Sequence, residues 1–195
     1  GIIGPNGAGK TTIMKMMAGL AGVTSGEMSF FGDSTDLDAS RSRMAFMLEA
    51  PMVDKTLNAR QNMNYVRYVK GVADESRISE LLELVGLKDA GKKPVRKYSL
   101  GMNQRLGIAM ALLTEPEIMI LDEPVNGLDP QGIVEIRLML KRLVEEKNVT
   151  IIISSHILSE LSELCTDFSI INHGKLIENI SREELMAKCR SYIAI

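Results

Sequence analysis

Gly4-Pro5-Asn6-Gly7-Ala8-Gly9-Lys10-Thr11 constrains this chain more than any other stretch, because it fits the spacing G-x-x-x-x-G-K-[ST]. Glycines at these positions let the backbone wrap tightly and turn successive N–H groups inward, toward the oxygens of a phosphate. The stretch that follows, Thr12-Ile13-Met14-Lys15-Met16-Met17-Ala18, reads as a helix whose N-terminus and positive dipole end face the same anion. A loop of this kind needs a buried strand in front of it, and only Gly1-Ile2-Ile3 is left to supply one. We therefore expect the sequence to be a truncated piece of a longer protein.

Short β-rich runs alternate with helical stretches along the rest of the chain, the pattern of an α/β fold around a mainly parallel sheet. Strands are expected at Gly1–Ile3, Met28–Phe31, Met44–Met47, Ile118–Leu121, Val149–Ser154, Phe168–Ile171 and Leu176–Ile180. Asn172-His173-Gly174-Lys175 reads as a hairpin turn between the last two. Ser181-Arg182-Glu183-Glu184 has the Ser-x-x-Glu form that starts a helix. Between Pro51 and Thr114 the β signal disappears. Asn58–Lys70, Glu75–Val85 and Gly101–Leu113 read as helices there, with Gly71 and Gly86 stopping the first two. The expectation is one domain, with a core of 1–50 and 115–195 interrupted by a helical subdomain at 51–114.

Composition narrows the function classes. Hydrophobic residues make up 45% and charged residues 25%, an ordinary globular balance. The net charge of −2 gives no electrostatic case for a nucleic-acid partner, and the basic pairs Lys92-Lys93 and Arg96-Lys97 read as solvated loop. No apolar run approaches the roughly 18–20 residues that span a bilayer. Cys165 and Cys189 lack metal-ligand spacing, and Cys165 is expected to be a buried free thiol.

Two further runs carry chemistry. In Glu117-Ile118-Met119-Ile120-Leu121-Asp122-Glu123-Pro124, four apolar residues make a buried strand that delivers adjacent carboxylates at its C-terminal end, where open α/β sheets bind ligands. Asp122 suits a Mg²⁺ shell, and Glu123, on the other side of the strand end, suits polarising an attacking water. Paired acids after a strand also serve as plain turn or cap residues. Val149–His156 is a second apolar strand, ending in Ser154-Ser155-His156. A neutral imidazole there suits a phosphate or the attacking water, although a lone histidine more often caps a helix, and Ser155 fits equally as an N-cap.

Tyr98-Ser99-Leu100-Gly101-Met102-Asn103-Gln104-Arg105 resembles the L-S-G-G-Q-x-Q-R signature of ABC ATPases. Asn126-Gly127-Leu128-Asp129-Pro130 resembles their D-loop, and Glu49 falls where they place the Q-loop glutamine. With Gly4–Thr11 and Asp122-Glu123 as the two Walker motifs and His156 as the switch histidine, all six elements occur in the family's order. The resemblance covers essentially the whole chain. It implies a P-loop NTPase core that binds and hydrolyses ATP with Mg²⁺. ATP contacts would come from Gly4, Pro5, Asn6, Gly7, Ala8, Gly9, Lys10, Thr11, Thr12, Glu49, Ser99, Gly101 and Asp129. Thr11, Asp122 and Glu49 would hold the metal, with Glu123 and His156 as the catalytic pair. Two copies would sandwich ATP head to tail, each glycine loop facing Ser99 and Gly101 of the other copy.

The wording of these motifs looks most like the bacterial bacitracin and lantibiotic export ATPases. That resemblance implies a cytoplasmic subunit, peripheral on the inner face of the cell membrane, powering export of a peptide antibiotic or drug-like substrate through a separate permease. The permease would dock a short helix near Glu49–Tyr68. The rival reading is a soluble ABC ATPase acting on the ribosome or DNA, but the stretch from Lys10 to Asp122 has room for neither a tandem domain nor long coiled coils. Leu100 and Met102 depart from the family's usual glycine and glutamine, and Glu49 adds negative charge where glutamine is usual. The family's adenine-stacking aromatic lies upstream of the first Walker motif, so it is expected to be missing here.

Overall fold

The structure, a computed structural model, describes residues 1–90 and 92–193, the backbone alone after Lys188. The side chain of Cys189 thus lies outside the described residues. Six strands make one sheet: β1 (Ile2–Ile3), β2 (Met44–Met47), β3 (Ile118–Leu121), β4 (Thr150–Ser155), β5 (Asp167–Asn172) and β6 (Lys175–Ser181). Their spatial order is β2-β3-β4-β1-β5-β6, parallel throughout except for the β5–β6 hairpin. Register aligns Met47 with Leu121, Leu121 with Ile153, and Ile3 with Ser155. The chain therefore leaves β1, β2, β3 and β4 at one common edge of the sheet.

Alternation along β3 explains why this sheet is buried on both faces. Ile120 packs with Ile2, Met14, Phe30, Met44 and Ile171 on one side, whereas Met119 and Leu121 join the larger cluster with Leu106, Ile108, Leu140 and Phe168 on the other. All three β3 residues from Met119 to Leu121 are fully buried, as expected of a strand in a parallel sheet covered by helices.

Helices fill the connections. α1 (Lys10–Met17) follows the glycine loop and α2 (Leu37–Ser42) is capped by Asp36. Three helices then run between β2 and β3: α3 (Ala59–Val69), α4 (Ser76–Leu84) and α5 (Leu100–Leu112). Asn58 and Gln61 close a capping box at the start of α3. Gly71 and Gly86 adopt φ of +68° and +67° just past the ends of α3 and α4, the left-handed conformation that stops a helix. α6 (Pro130–Lys147) precedes β4, the short α7 (Leu158–Leu161) follows it, and α8 (Arg182–Ile193) starts at the Ser181–Glu184 capping box.

One expected strand is absent. Met28–Phe31 makes only an isolated bridge between Phe30 and Asp33, and the chain reverses there through Phe31 (φ +55°) and Gly32 (φ +81°). No described strand lies alongside to complete a ladder, so an apolar run of suitable composition stays a turn. The α5 crossing depends on Gly107: a Cβ there would fall 2.6 Å from Pro51 and 2.9 Å from the Met47 sulfur. Glycine thus lets the segment after β2 lie directly on the helix.

Candidate functional site

The segments that leave β1, β3 and β4 at the common sheet edge converge. The glycine loop springs from β1, and Gly4 is required by packing, since a Cβ would lie 2.2 Å from the Ile171 carbonyl. Gly7 and Gly9 take φ of +79° and +105°, which side chains disfavour. Pro5, Asn6 and Gly7 are exposed, as is Thr12, so the loop's mouth is open to solvent, while Ala8 is buried. The β5–β6 turn supports the loop from behind through Gly174 N–H, which donates to the Ala8 carbonyl at 2.9 Å. His173 and Gly174 both have positive φ in that turn, the conformation of a type I′ hairpin.

Lys10 is 5% exposed, and a buried ammonium needs partners. It donates to the carbonyls of Gly4 (2.8 Å) and Pro5 (3.3 Å) and pairs with Glu123 Oε1 at 3.2 Å. The other Glu123 oxygen meets His156 Nδ1 at 3.0 Å. Lys10, Glu123 and His156 therefore form one chain of contacts drawn from the start of α1 and the ends of β3 and β4. Glu123 reaches both partners because its own backbone turns off β3 at φ +46°, a strained value for a non-glycine residue.

Its neighbour takes a different set. Asp122 Oδ2 accepts from the Thr11 hydroxyl at 2.6 Å, and Oδ1 accepts from the Ser154 hydroxyl at 2.5 Å. Ser154 also accepts from Glu123 N–H at 2.9 Å. The two acids thus diverge, as expected from the strand end. A hydroxyl and a carboxylate facing each other are the hard oxygen donors that suit Mg²⁺, which takes one or two protein ligands and fills its remaining positions with water and phosphate. Among the described residues, no three His, Cys, Asp or Glu side chains gather into a denser metal cluster.

Glu49 lies elsewhere. Its carboxylate bonds Lys15 Nζ at 2.8 Å on the exposed flank of α1. The hydrogen bond from Lys15, reinforced by its charge, holds the Glu49 carboxyl below its usual range, and Lys15 is pushed up in return.

Ser99 is the N-cap of α5: its hydroxyl accepts from Met102 N–H at 3.2 Å, with Gly101 in the first turn. Asp129 caps α6 in the same way, accepting from Gly132 N–H at 3.2 Å. The signature and the D-loop touch within this chain, for a Cβ on Gly127 would meet Leu100 at 3.2 Å and one on Gly101 would meet Leu128 at 3.6 Å. Among the described residues, Ser99 and Asp129 bond only within their own helix starts and not to the Lys10–Glu123 group. Ser155 does act in a turn, accepting from Ile157 N–H at 2.9 Å and donating to Glu160 at 2.6 Å. Cys165 is buried and unpaired, in the connection after α7 rather than within a helix, and burial pushes its thiol up.

Sequence reasoning missed Ser154 and Lys15. A serine at the end of a fully apolar strand was the available signal for the first. Nothing local marks the second, because a lysine in the last turn of a helix is ordinary.

Comparison with known proteins gives this geometry a family. The family described as ABC transporter matches residues 1–126. The bacitracin transport ATP-binding protein BcrA of Bacillus licheniformis is 46% identical over 195 residues, covering 99% of this chain. The chain spans 64% of that relative's length. The lantibiotic transport ATP-binding protein SrtF of Streptococcus pyogenes is 47% identical over 176 residues, covering 90% of this chain and 76% of that protein. Among solved structures, CbiO1 of Clostridium perfringens, part of the ABC transporter complex CbiONQ, superposes with a TM-score of 0.87 at 27% identity, over 97% of this chain and 79% of that one. With a glycine loop, paired acids and strand-end histidine assembled at one sheet edge, and with relatives of this identity, the chain belongs to the ABC transporter family.

Proposed function

We propose that this chain binds ATP with Mg²⁺ and hydrolyses it to drive transport through a membrane subunit. The observation that carries the reading is the Lys10–Glu123–His156 chain of contacts beside the Thr11–Asp122 pair. Lys10 trades the Gly4 and Pro5 carbonyls and the Glu123 carboxylate for the β- and γ-phosphates, which are stronger anionic acceptors. Glu123, released from Lys10, accepts a proton from the attacking water. His156 orients that carboxylate before nucleotide binds, and its single N–H turns to the γ-phosphate once the phosphate is in place. The backbone N–H groups of Asn6, Gly7 and Gly9 and those of the first turn of α1 cradle the phosphates. Thr11 and Asp122 would hold Mg²⁺, which would supply neutralisation of phosphate charge.

A second copy completes each site. Ser99 and Gly101, at the N-terminus of α5, face the γ-phosphate bound by the partner copy, and Asp129 lies at the same interface. Binding of ATP closes the pair and hydrolysis reopens it, a ligand-driven shift of populations. Residues 51–114 act as the helical subdomain that swings with this closure.

A groove of about 740 Å³ lies beyond the end of β2, lined by Met47, Pro51, Met52, Tyr65, Val66 and Met110 among others. Met52 is 94% exposed and Tyr65 67%, and apolar side chains presented in this way mark a docking surface. We read it as the seat of a short helix from the permease. No helix among the described residues is long and apolar enough to cross a membrane. Relatives known as bacitracin and lantibiotic transport proteins support a peptide antibiotic as cargo, with export the direction favoured by family resemblance. The setting would be the cytoplasmic face of the membrane.

The test compares ATP turnover and nucleotide-dependent dimerisation of the wild type and Glu123→Gln. Turnover in the wild type, with an inactive variant that traps an ATP-bound dimer, supports the mechanism. Equal turnover in both sinks Glu123 as the base.

A further inference from the structure

Glu49 puts a formal negative charge where the family resemblance leads one to expect a neutral glutamine, at the end of the strand whose Met47 carbonyl accepts Asp122 N–H at 2.9 Å. The strand ends then carry three carboxylates: Asp122, Glu123 and Glu49. Glu123 is paired with Lys10, and Asp122 is held by the neutral hydroxyls of Thr11 and Ser154. The third is paired with Lys15 at 2.8 Å.

The position of Lys15 is specific. It follows Thr11 by four residues on α1, so the two side chains share one face of the helix, one turn apart. One helical turn is about 5.4 Å. Glu49 is thereby tethered to a lysine that stands one helical turn beyond Thr11, whose hydroxyl bonds Asp122. Its backbone is bent to this end, at φ +67° in the left-handed region that disfavours a side chain. The lysine and glutamate side chains are 40% and 68% exposed, so water screens the pair and it opens at little cost.

We propose that Lys15 is a positioning residue for Glu49: it parks the carboxylate on α1 when no metal is present and gives it up to Mg²⁺ arriving with the nucleotide. This rests on the nucleotide-site reading above. Lys15 is what lets a glutamate stand at this position, cancelling its charge beside an incoming triphosphate. Metal binding is then an exchange, in which Glu49 leaves an ammonium for a divalent cation. The segment that moves in this exchange, residues 48–52, continues directly into the groove wall at Ala50, Pro51 and Met52.

The experiment is a double-mutant cycle. Mn²⁺ affinity of the protein–ATPγS complex is measured by electron paramagnetic resonance for the wild type, Lys15→Met, Glu49→Gln and the double variant. Lys15→Arg serves as the charge-conserving control, and thermal melts accompany every variant. Lys15→Met is expected to tighten Mn²⁺ roughly two- to five-fold by freeing Glu49, with less tightening in the Glu49→Gln background and none in Lys15→Arg. Equal tightening in both backgrounds overturns the proposal, because Lys15 then acts on the metal simply as a distant charge. No tightening in either background overturns it as well, while nucleotide binding by all variants leaves the ATP site standing. A wild type that binds no ATPγS brings down both.

Discussion

The hydroxyl of Ser154, fully buried, donates to Asp122 at 2.5 Å and accepts the Glu123 N–H at 2.9 Å. One side chain from β4 thus sets the direction of both acids at the end of β3. Ser154→Ala leaves the half-buried Glu123 N–H without its partner, which costs about 1 kcal/mol. Urea denaturation should show that loss. ATP turnover should fall with it, because Glu123 is no longer held in its left-handed turn. Unchanged stability would mean that water replaces the hydroxyl and the serine is dispensable.

Gly107 is a packing requirement rather than a flexible point, since it lies within α5 and lacks room for a methyl group. Gly107→Ala gains helix propensity but drives a Cβ into Pro51 and Met47. Overpacking costs about 1–3 kcal/mol, more than the roughly 1 kcal/mol that alanine returns over glycine in a helix. A net fall in melting temperature is expected, and a rise would show that the 48–52 segment slides freely over α5.

Asp129 invites a separation of roles. Its carboxylate caps α6, and asparagine caps almost as well, whereas Asp129→Ala should cost about 1 kcal/mol. Stability of Asp129→Asn should match the wild type. If its ATP-dependent dimerisation also matches, the negative charge has no part at the interface between copies. Weakened dimerisation at full stability would assign the charge to that interface.

Burial raises the Cys165 thiol above its ordinary value, so the folded protein keeps it protonated at neutral pH. Alkylation at Cys165, located by mass spectrometry, should be slow in the native protein and fast in urea. The sign for stability follows from linkage: a group with a raised folded-state value contributes fully at lower pH and loses that contribution as the pH climbs through the folded value. Alkaline solution above the ordinary thiol range should therefore destabilise the wild type more than Cys165→Ala.

Local signals carried much of this protein. The glycine loop, the apolar runs of β3 and β4, the capping boxes at Asn58 and Ser181 and the turn at His173-Gly174 each encode their geometry within a few residues, so reading them needs no knowledge of the fold. The order of the motifs matched the ABC ATPase resemblance, and that resemblance implied that Gly4–Thr11, Asp122-Glu123 and His156 belong to one site. Tertiary structure alone decided the rest. Met28–Phe31 has strand composition but lacks a neighbour to pair with, and pairing is a property of two segments. Ser154 and Asp122 are 32 residues apart, and Lys15 and Glu49 34. Gly107 matters only because Pro51 happens to cross it. Each of these depends on how distant stretches are brought together in space, and a sequence pattern records what one segment prefers without recording what it will touch.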